Sequence, residues 1–321
     1  MKKFLTLALC LLIALCSVGC TFTPTSNLTM DGTQPWAIYS GYERCEYKVT
    51  KKSADGTILG EGVLVNTVLI HTEANKPEET NTDSAELGIF TTIKSEFSFT
   101  TADTLTPITD YITSSSTFLT SSCAAIKSEK TVTLNSNPDL SYRFVADYEH
   151  KKVEYYAKNS SEITKTLTVP DSEKVIFDNE ALYCITRAFN PQEEKEGNFL
   201  LTNLYDCYLD NRISSYSVYF RAADTYATQE LFNESNRTLT WNLLTQNSDI
   251  VDNKIECYLA KINRNRSNMS GSPIEMWFTK TPFKGGKKRV MVKMRSTILT
   301  IPSAHVDYTT DYDLISYSIT Q

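Results

Sequence analysis

Apolar and polar positions alternate with a period of two along most of this chain, and one stretch near the middle has a helical period instead. Residues 43–51 alternate strictly, with Cys45, Tyr47 and Val49 on one side and polar or charged residues on the other. Such alternation predicts an antiparallel strand with one buried face. Similar runs recur before and after the helical stretch, so the pattern predicts a mainly β chain divided by one helix.

The predicted strands fall into two groups. In the first half they cover residues 43–51, 62–71, 87–101, 111–120, 142–148, 153–157 and 165–169, and none is predicted between residues 121 and 141. In the second half they cover residues 199–209, 213–221, 255–262, 274–279, 290–294, 296–301, 304–308 and 313–319. Turn pairs such as Asp55-Gly56 separate them, and no repeat of fixed period is found.

Residues 178–189 carry the helical period. Asp178 is a suitable N-cap, because its carboxylate can accept the first free amide hydrogens of a helix. Phe177 and Leu182 have the spacing of a hydrophobic staple, and Arg187 places positive charge near the negative end of the helix dipole. One face carries the apolar residues Ala181, Leu182, Ile185, Ala188 and Phe189. We therefore expect a helix with one apolar face that covers a sheet.

The first residues have the form of a bacterial export signal. Lys2 and Lys3 precede an apolar run at residues 4–16, which is too short to span a membrane as a helix. Ser17-Val-Gly-Cys20 resembles the motif after which a cysteine is lipidated. Two outcomes fit: lipidation of Cys20, which is the prediction adopted, or ordinary cleavage that leaves a secreted protein. Both place the protein outside the cytoplasm.

These features divide the chain into segments. Residues 1–20 are predicted to be a lipoprotein signal peptide, and residues 21–37, which are polar, a flexible tether. Residues 38–321 are predicted to form a single β-rich domain, with a first half at 38–170, the central helix at 178–189 and a second half at 198–321. The predicted location is the extracytoplasmic side of the cell envelope, with a membrane anchor at Cys20.

Charge and cysteine spacing narrow the range of partners. The formal net charge is −6, and removal of the two lysines in residues 1–20 makes it −8, a poor match for nucleic acid. Five cysteines follow Cys20 without regular spacing or a Cys-x-x-Cys pair, which indicates neither a disulfide framework nor a zinc site. One incidental disulfide stays open as an alternative in an oxidising compartment.

Sequence motifs of catalysis are absent. The three histidines form no zinc-binding spacing, and the sequence contains no nucleophile elbow, phosphate loop or dinucleotide fingerprint. The prediction is therefore a protein that is not an enzyme, with no catalytic residues, no metal and no cofactor. An enzyme whose site assembles from distant residues ranks third among the functional hypotheses.

Two stretches resemble a known group of proteins. The run from Val169-Pro-Asp through Ile176-Phe-Asp-Asn to Arg187-Ala188 resembles the central helix of uncharacterised bacterial envelope proteins that are similar to the lipoprotein carriers LolA and LolB. Residues 271–278 and 289–294 resemble a late hairpin of the same group. The resemblance implies a curved, incompletely closed antiparallel β-barrel with a central covering helix on its concave side.

Two functions follow from this fold. The first is a lipoprotein that binds a lipid or another apolar ligand in a cavity of the half-barrel. The candidate ligand contacts are Tyr142, Phe144, Leu182, Ile185, Ala188, Phe189, Val218 and Phe220. The alternative is a scaffold or adhesion lipoprotein that binds another envelope protein through its sheet surface. A cavity beneath the helix favours the first, and a filled interior with an exposed aromatic patch favours the second.

Overall fold

A computed structural model describes residues 42–71, 90–102, 106–169, 175–188, 196–202, 215–222, 227–230, 250–251, 254–266, 269–270, 274–279, 289–300 and 305–320. Eighteen strand segments in these ranges belong to one sheet. The first half contains β1 (Tyr42–Ser53), β2 (Ile58–His71), β3 (Phe90–Thr101), β4 (Thr109–Leu119), β5 (Ala125–Thr133), β6 (Tyr142–Asp147), β7 (Lys152–Ala157) and β8 (Lys165–Thr168). These strands form a meander in which each pairs antiparallel with the next.

The second half begins with a two-residue strand directly before a short helical segment, and its other strands follow that segment. Its strands are β9 (Phe177–Asp178), β10 (Glu196–Thr202), β11 (Ser215–Ala222), β12 (Ala227–Glu230), β13 (Ile250–Val251), β14 (Lys254–Arg266), β15 (Met269–Ser270), β16 (Ile274–Thr279), β17 (Met291–Thr300) and β18 (His305–Thr320). Its long antiparallel strands pair in the order β10, β11, β14, β16, β17 and β18.

The two halves are joined through β1, which pairs with β2 on one side and with β18 on the other. The first strand of the domain therefore lies inside the sheet, and each half extends away from it. β10 also pairs in parallel with the two-residue β9, but among the described strands β8 forms its ladder with β7 alone, so the curved sheet is not closed. This arrangement confirms the predicted mainly β fold, an incompletely closed antiparallel barrel.

The predicted helix consists of a 3₁₀ turn followed by a short α-helix, and the α-helix is buried throughout. Asp178 caps it by accepting a hydrogen bond from the Glu180 amide at 2.7 Å. A single 3₁₀ turn at Asn179–Ala181 then leads into α1 (Leu182–Ala188). All seven residues of α1 are buried, including Arg187. The helix lies on the concave side of the sheet, as predicted, and its polar residues Thr186 and Arg187 are buried together with the predicted apolar face.

Two apolar clusters form the core of the described residues. The larger one joins α1 to both halves of the sheet through residues such as Tyr47, Phe118 and Ile262. The smaller one lies on β6, β7 and β8, around Phe144 and Tyr155, whose ring centroids are 5.0 Å apart. The helix therefore belongs to the larger cluster alone.

Candidate functional site

A cavity of about 290 Å³ lies on the concave side of the sheet, at the N-terminal end of the helical segment. This volume is at the lower end of the range of about 300–1,000 Å³ that ligand pockets span. Strands of the first half, the start of the helix and strands of the second half each contribute to its wall. It is lined by Leu64, Asn66, Ile93, Ser95, Phe97, Ile112, Ser114, Lys130, Asn179, Glu180, Leu182, Tyr183, Ile274, Met276, Met291, Met294, Ser296 and Tyr312.

Most of the cavity wall is apolar, and its two sides differ. On the first half, Leu64, Phe97 and Ile112 are direct partners across β2, β3 and β4, so they form one continuous apolar row. On the second half, the wall contains Met276, Met291 and Met294. Methionine side chains are unbranched and polarisable, so they adjust readily to the shape of an apolar ligand.

A second row on the first half is polar. Asn66 of β2 faces Ser95 of β3, Ser95 faces Ser114 of β4, and Ser114 faces Lys130 of β5. Ser95 donates a hydrogen bond to the Asn66 side-chain oxygen at 2.8 Å. These four residues, called the polar row below, all line the cavity. The strict side-chain alternation of strands places the polar row parallel to the apolar one.

An ion pair lies at one end of the polar row. Lys130 Nζ donates a hydrogen bond to Glu180 Oε1 at 2.9 Å, and the two side chains are 19% and 12% exposed. Burial disfavours the charged carboxylate, but Lys130, Asn179 and Ser114 outweigh it and lower the pKa of Glu180. Glu180 therefore remains ionised and holds Lys130 in place.

Asp178 connects the helical segment to the neighbouring part of the sheet. Its carboxylate is fully buried and accepts hydrogen bonds from Ser128 Oγ at 2.8 Å and from the Tyr148 hydroxyl. Burial, with a smaller contribution from Glu180, raises the pKa of Asp178 to about 6. The cap predicted from sequence is therefore also a tertiary anchor.

A second ion pair holds the other end of the helix. Arg187 donates hydrogen bonds to both carboxylate oxygens of Glu43 on β1, one of them at 3.1 Å. The hydroxyls of Tyr183 and Tyr317 also contact this carboxylate. Burial alone would lower the pKa of Arg187, but Glu43 raises it above its ordinary value. Arg187 was expected to interact with the helix dipole, and the structure shows a buried pair with Glu43.

The predicted ligand contacts are divided among several places. Leu182 lines the cavity. Ile185 and Ala188 are buried in the larger core cluster, at 0% and 2% exposure. Tyr142 and Phe144 belong to the smaller cluster, because β6 lies beyond β5 and Phe144 packs on Tyr155 rather than on α1.

The other predicted site residues have no side-chain description. Val218 and Phe220 lie on β11, of which the structure describes the backbone pairing. Phe189 and Cys20 lie outside the described residues. The predicted lipidation and the predicted contacts at these positions therefore stay predictions.

The residues that sequence reasoning missed are polar ones on the concave face. The predicted strands included Glu43, Asn66, Ser95 and Ser114, but β5, which carries Ser128 and Lys130, was not predicted at all. One signal was available at Glu43, since it shares the parity of the buried residues Cys45 and Tyr47. A charged residue on the buried side of a strand indicates a buried partner.

Within the described ranges, no group of three or more histidine, cysteine, aspartate or glutamate side chains is placed to hold a metal ion. Cys45, Cys123, Cys184 and Cys257 are buried free thiols. None of the helices in the described part of the chain has the length and apolar character needed to cross a membrane.

Comparison with known proteins identifies the fold. No protein-family model matches the chain, and no curated protein sequence matches it. Among solved structures, it is similar to a β-barrel-like protein of the domain of unknown function DUF1849 from Brucella abortus. The TM-score is 0.54 at 10% sequence identity, over 89% of this chain and 100% of the other. At this identity the likeness shows the fold alone: the chain has a mainly β, β-barrel-like architecture.

Proposed function

We propose that this protein is a non-enzymatic lipoprotein of the bacterial cell envelope that binds an apolar or amphipathic ligand in the cavity of its half-barrel. The observation that carries the proposal is the cavity of about 290 Å³ between the start of the helical segment and the sheet. Its wall is mainly apolar, with three methionines on one side and an aliphatic and aromatic row on the other. The resemblance to the LolA and LolB carriers supports the same function.

The surface of the described residues gives less support to the scaffold alternative. Its five exposed large apolar side chains belong to five different segments, so no single segment presents a run of them. They are Tyr42, Ile58, Tyr111, Leu140 and Ile163. The cavity therefore favours ligand binding over binding of a protein through the sheet surface.

The test measures binding as a function of tail length. Full-length protein is titrated with monoacylglycerols and fatty acids of increasing length, below their micelle concentrations. Each buried methylene stabilises the complex by about 0.8 kcal/mol, which corresponds to a roughly fourfold gain in affinity per methylene. The gain should stop when the cavity is full.

A pair of variants on one strand separates cavity binding from surface binding. Ile112→Trp places a large side chain in the cavity wall and should abolish binding. Tyr111→Trp changes the adjacent side chain, which is 48% exposed on the outer face, and should leave binding unchanged. Absence of binding, no dependence on tail length, or equal behaviour of the two variants would overturn the proposal, and the scaffold function would replace it.

A further inference from the structure

The cavity wall formed by the first half of the sheet is not uniformly apolar, and the order of its polar and apolar rows restricts the chemical class of ligand that fits. The polar row crosses β2, β3, β4 and β5 without interruption. On one side lies the apolar row that contains Phe97 and Ile112, and on the other side lies Ile93, also in the cavity wall. A purely hydrocarbon ligand would cover the polar row without offering it any hydrogen-bonding partner, which is unfavourable. This wall therefore fits a ligand with a polar group next to apolar parts.

The charges of the cavity wall decide what kind of polar group fits. Lys130 and Glu180 are the charged residues that line the cavity, and they are bonded to each other at 2.9 Å. An anionic head group would approach a lysine that is already neutralised and would be repelled by Glu180. A cationic head group would meet the opposite difficulty at Lys130. Transfer of a charge from water into such a site is costly without a partner of its own.

The same wall provides partners for an uncharged polar group. The carboxamide of Asn179 and the hydroxyl of Ser114, which also bind Glu180, and the hydroxyl of Tyr312 lie along the cavity, so donors and acceptors are both present. Burial raises the pKa of Tyr312 to about 12 although Lys130 opposes the shift, so its hydroxyl stays protonated and remains a donor. Hydroxyl and amide groups, which both donate and accept, match this set.

We propose that the cavity selects uncharged amphiphiles, with a hydroxyl or amide group on the polar row and the apolar parts on the flanking rows. This selectivity rests on the proposed function, because it requires that a ligand enters the cavity. The inference adds the chemical class of the ligand. In it, the ion pair of Lys130 and Glu180 excludes charged head groups.

The first experiment holds the tail constant and changes the head group. Full-length protein is titrated with monodecanoylglycerol, decanoate and decylamine, each below its micelle concentration. Monodecanoylglycerol should bind about tenfold or more tightly than either charged ligand, a difference of about 1.4 kcal/mol. If a charged ligand binds as tightly as the glyceride, the selectivity is wrong while cavity binding stands. If none of the three binds, the proposed function itself fails.

The second experiment changes the charges of the site. Glu180→Gln leaves Lys130 without its acidic partner and should improve decanoate binding about tenfold relative to decylamine. Lys130→Met should shift the preference in the opposite direction, toward decylamine. The control is Glu129→Gln, since Glu129 lies next to Lys130 on the other face of β5 and pairs with Arg143 at 3.5 Å.

The outcomes of this second experiment are decisive in both directions. Opposite shifts in the two site variants, with none in the control, support the inference. If neither folded variant changes the preference between decanoate and decylamine, the ion pair does not set selectivity. Thermal melts verify folding, and should one variant fail to fold, the other still carries the test because it predicts a shift of known direction.

Discussion

At the scale of single residues, a buried ion pair between Arg187 and Glu43 holds the C-terminal part of the helical segment against the sheet. Arg187 is 1% exposed and Glu43 is 3% exposed, so their pair is removed from water almost completely. Such a pair is favourable only when its remaining hydrogen-bonding positions are satisfied. Tyr183 and Tyr317 contribute hydroxyls to the carboxylate, so the pair connects β1, α1 and β18.

Removal of one member of this pair should destabilise the protein strongly. Arg187→Met leaves Glu43 buried without its cation, and we expect a loss of about 3–5 kcal/mol in the free energy of unfolding. The double variant with Glu43→Leu should recover much of that loss. Denaturant melts provide the measurement. As a control, Arg44→Ala breaks a partly exposed surface pair with Glu46 and should cost no more than about 1 kcal/mol. Equal losses for the two single variants would contradict the assignment.

The raised pKa of Asp178 predicts a dependence of stability on pH. Its pKa is about 6 in the folded chain, against an ordinary value of 3.8. Between these values the folded state binds more protons than the unfolded state. The contribution of Asp178 to the free energy of unfolding therefore falls as the pH rises through this range, by about 3 kcal/mol in all. Below and above the range it is constant.

Asp178→Asn isolates this contribution from those of Glu180, Lys130 and the other nearby groups. The amide oxygen of asparagine can still accept from the Glu180 amide, so the cap is kept. The free energy of unfolding of the Asp178→Asn variant, relative to that of the wild type, should rise between about pH 4 and about pH 7 by up to about 3 kcal/mol. Denaturant melts at both pH values measure the difference. Asp178→Ala, which also removes the acceptor for Ser128 and Tyr148, should be less stable than Asp178→Asn; a pH-independent difference would refute the raised pKa.

At the scale of elements, α1 is a core component with one edge on the cavity. Ile185 is 0% exposed and is surrounded by the larger cluster, whereas Leu182 is 8% exposed and faces the cavity. The two residues therefore differ in how much packing they lose on truncation.

Alanine substitutions should reveal this difference. Ile185→Ala creates a new void in a packed region and should cost about 3–5 kcal/mol, toward the upper part of the range for buried aliphatic residues. Leu182→Ala enlarges an existing space and should cost about 2–3 kcal/mol. Urea melts compare the two. A larger loss at Leu182 than at Ile185 would show that the cavity is closed in solution.

The strands of the first half show what the sequence could and could not predict. Regular alternation in β1 predicted both its position and its buried face, and the cap at Asp178 predicted the start of the helical segment. β5 was missed because polar residues stand between Ile126 and Val132 on its concave face: Ser128 binds Asp178 and Lys130 binds Glu180. A strand that faces a polar partner does not show apolar alternation. The cavity could not be located for the same reason, since its polar row is defined by cross-strand register.

At the scale of the whole molecule, the architecture is shared although the sequence is not. The Brucella abortus protein has a TM-score of 0.54 at 10% identity, so a similar sheet is built from largely different side chains. The alternation of faces and the order of strands must carry the fold, because they survive substitution of one apolar residue by another. The shape and polarity of the cavity wall depend on individual side chains, so substitutions that preserve the fold can still change the cavity.

The proposed membrane anchor is tested at this same scale. Cys20→Ala should release the protein from the membrane fraction or block its maturation, because the anchor is a lipid attached through that thiol. Fractionation and the mass of the mature protein give the readout. Membrane association and maturation that match those of the wild type would remove the lipoprotein assignment and leave ordinary secretion.

The position of β1 inside the sheet has a consequence for biosynthesis. One of its edges is completed only by β18, with Tyr42 opposite Thr320. At about 5–20 residues per second, a ribosome needs roughly 15–55 s to proceed from one of these residues to the other. During this interval the edge of β1 is an open template for pairing with other chains. The sheet is thus not completed until synthesis of the chain is nearly finished, which suits the proposed export through a translocation channel.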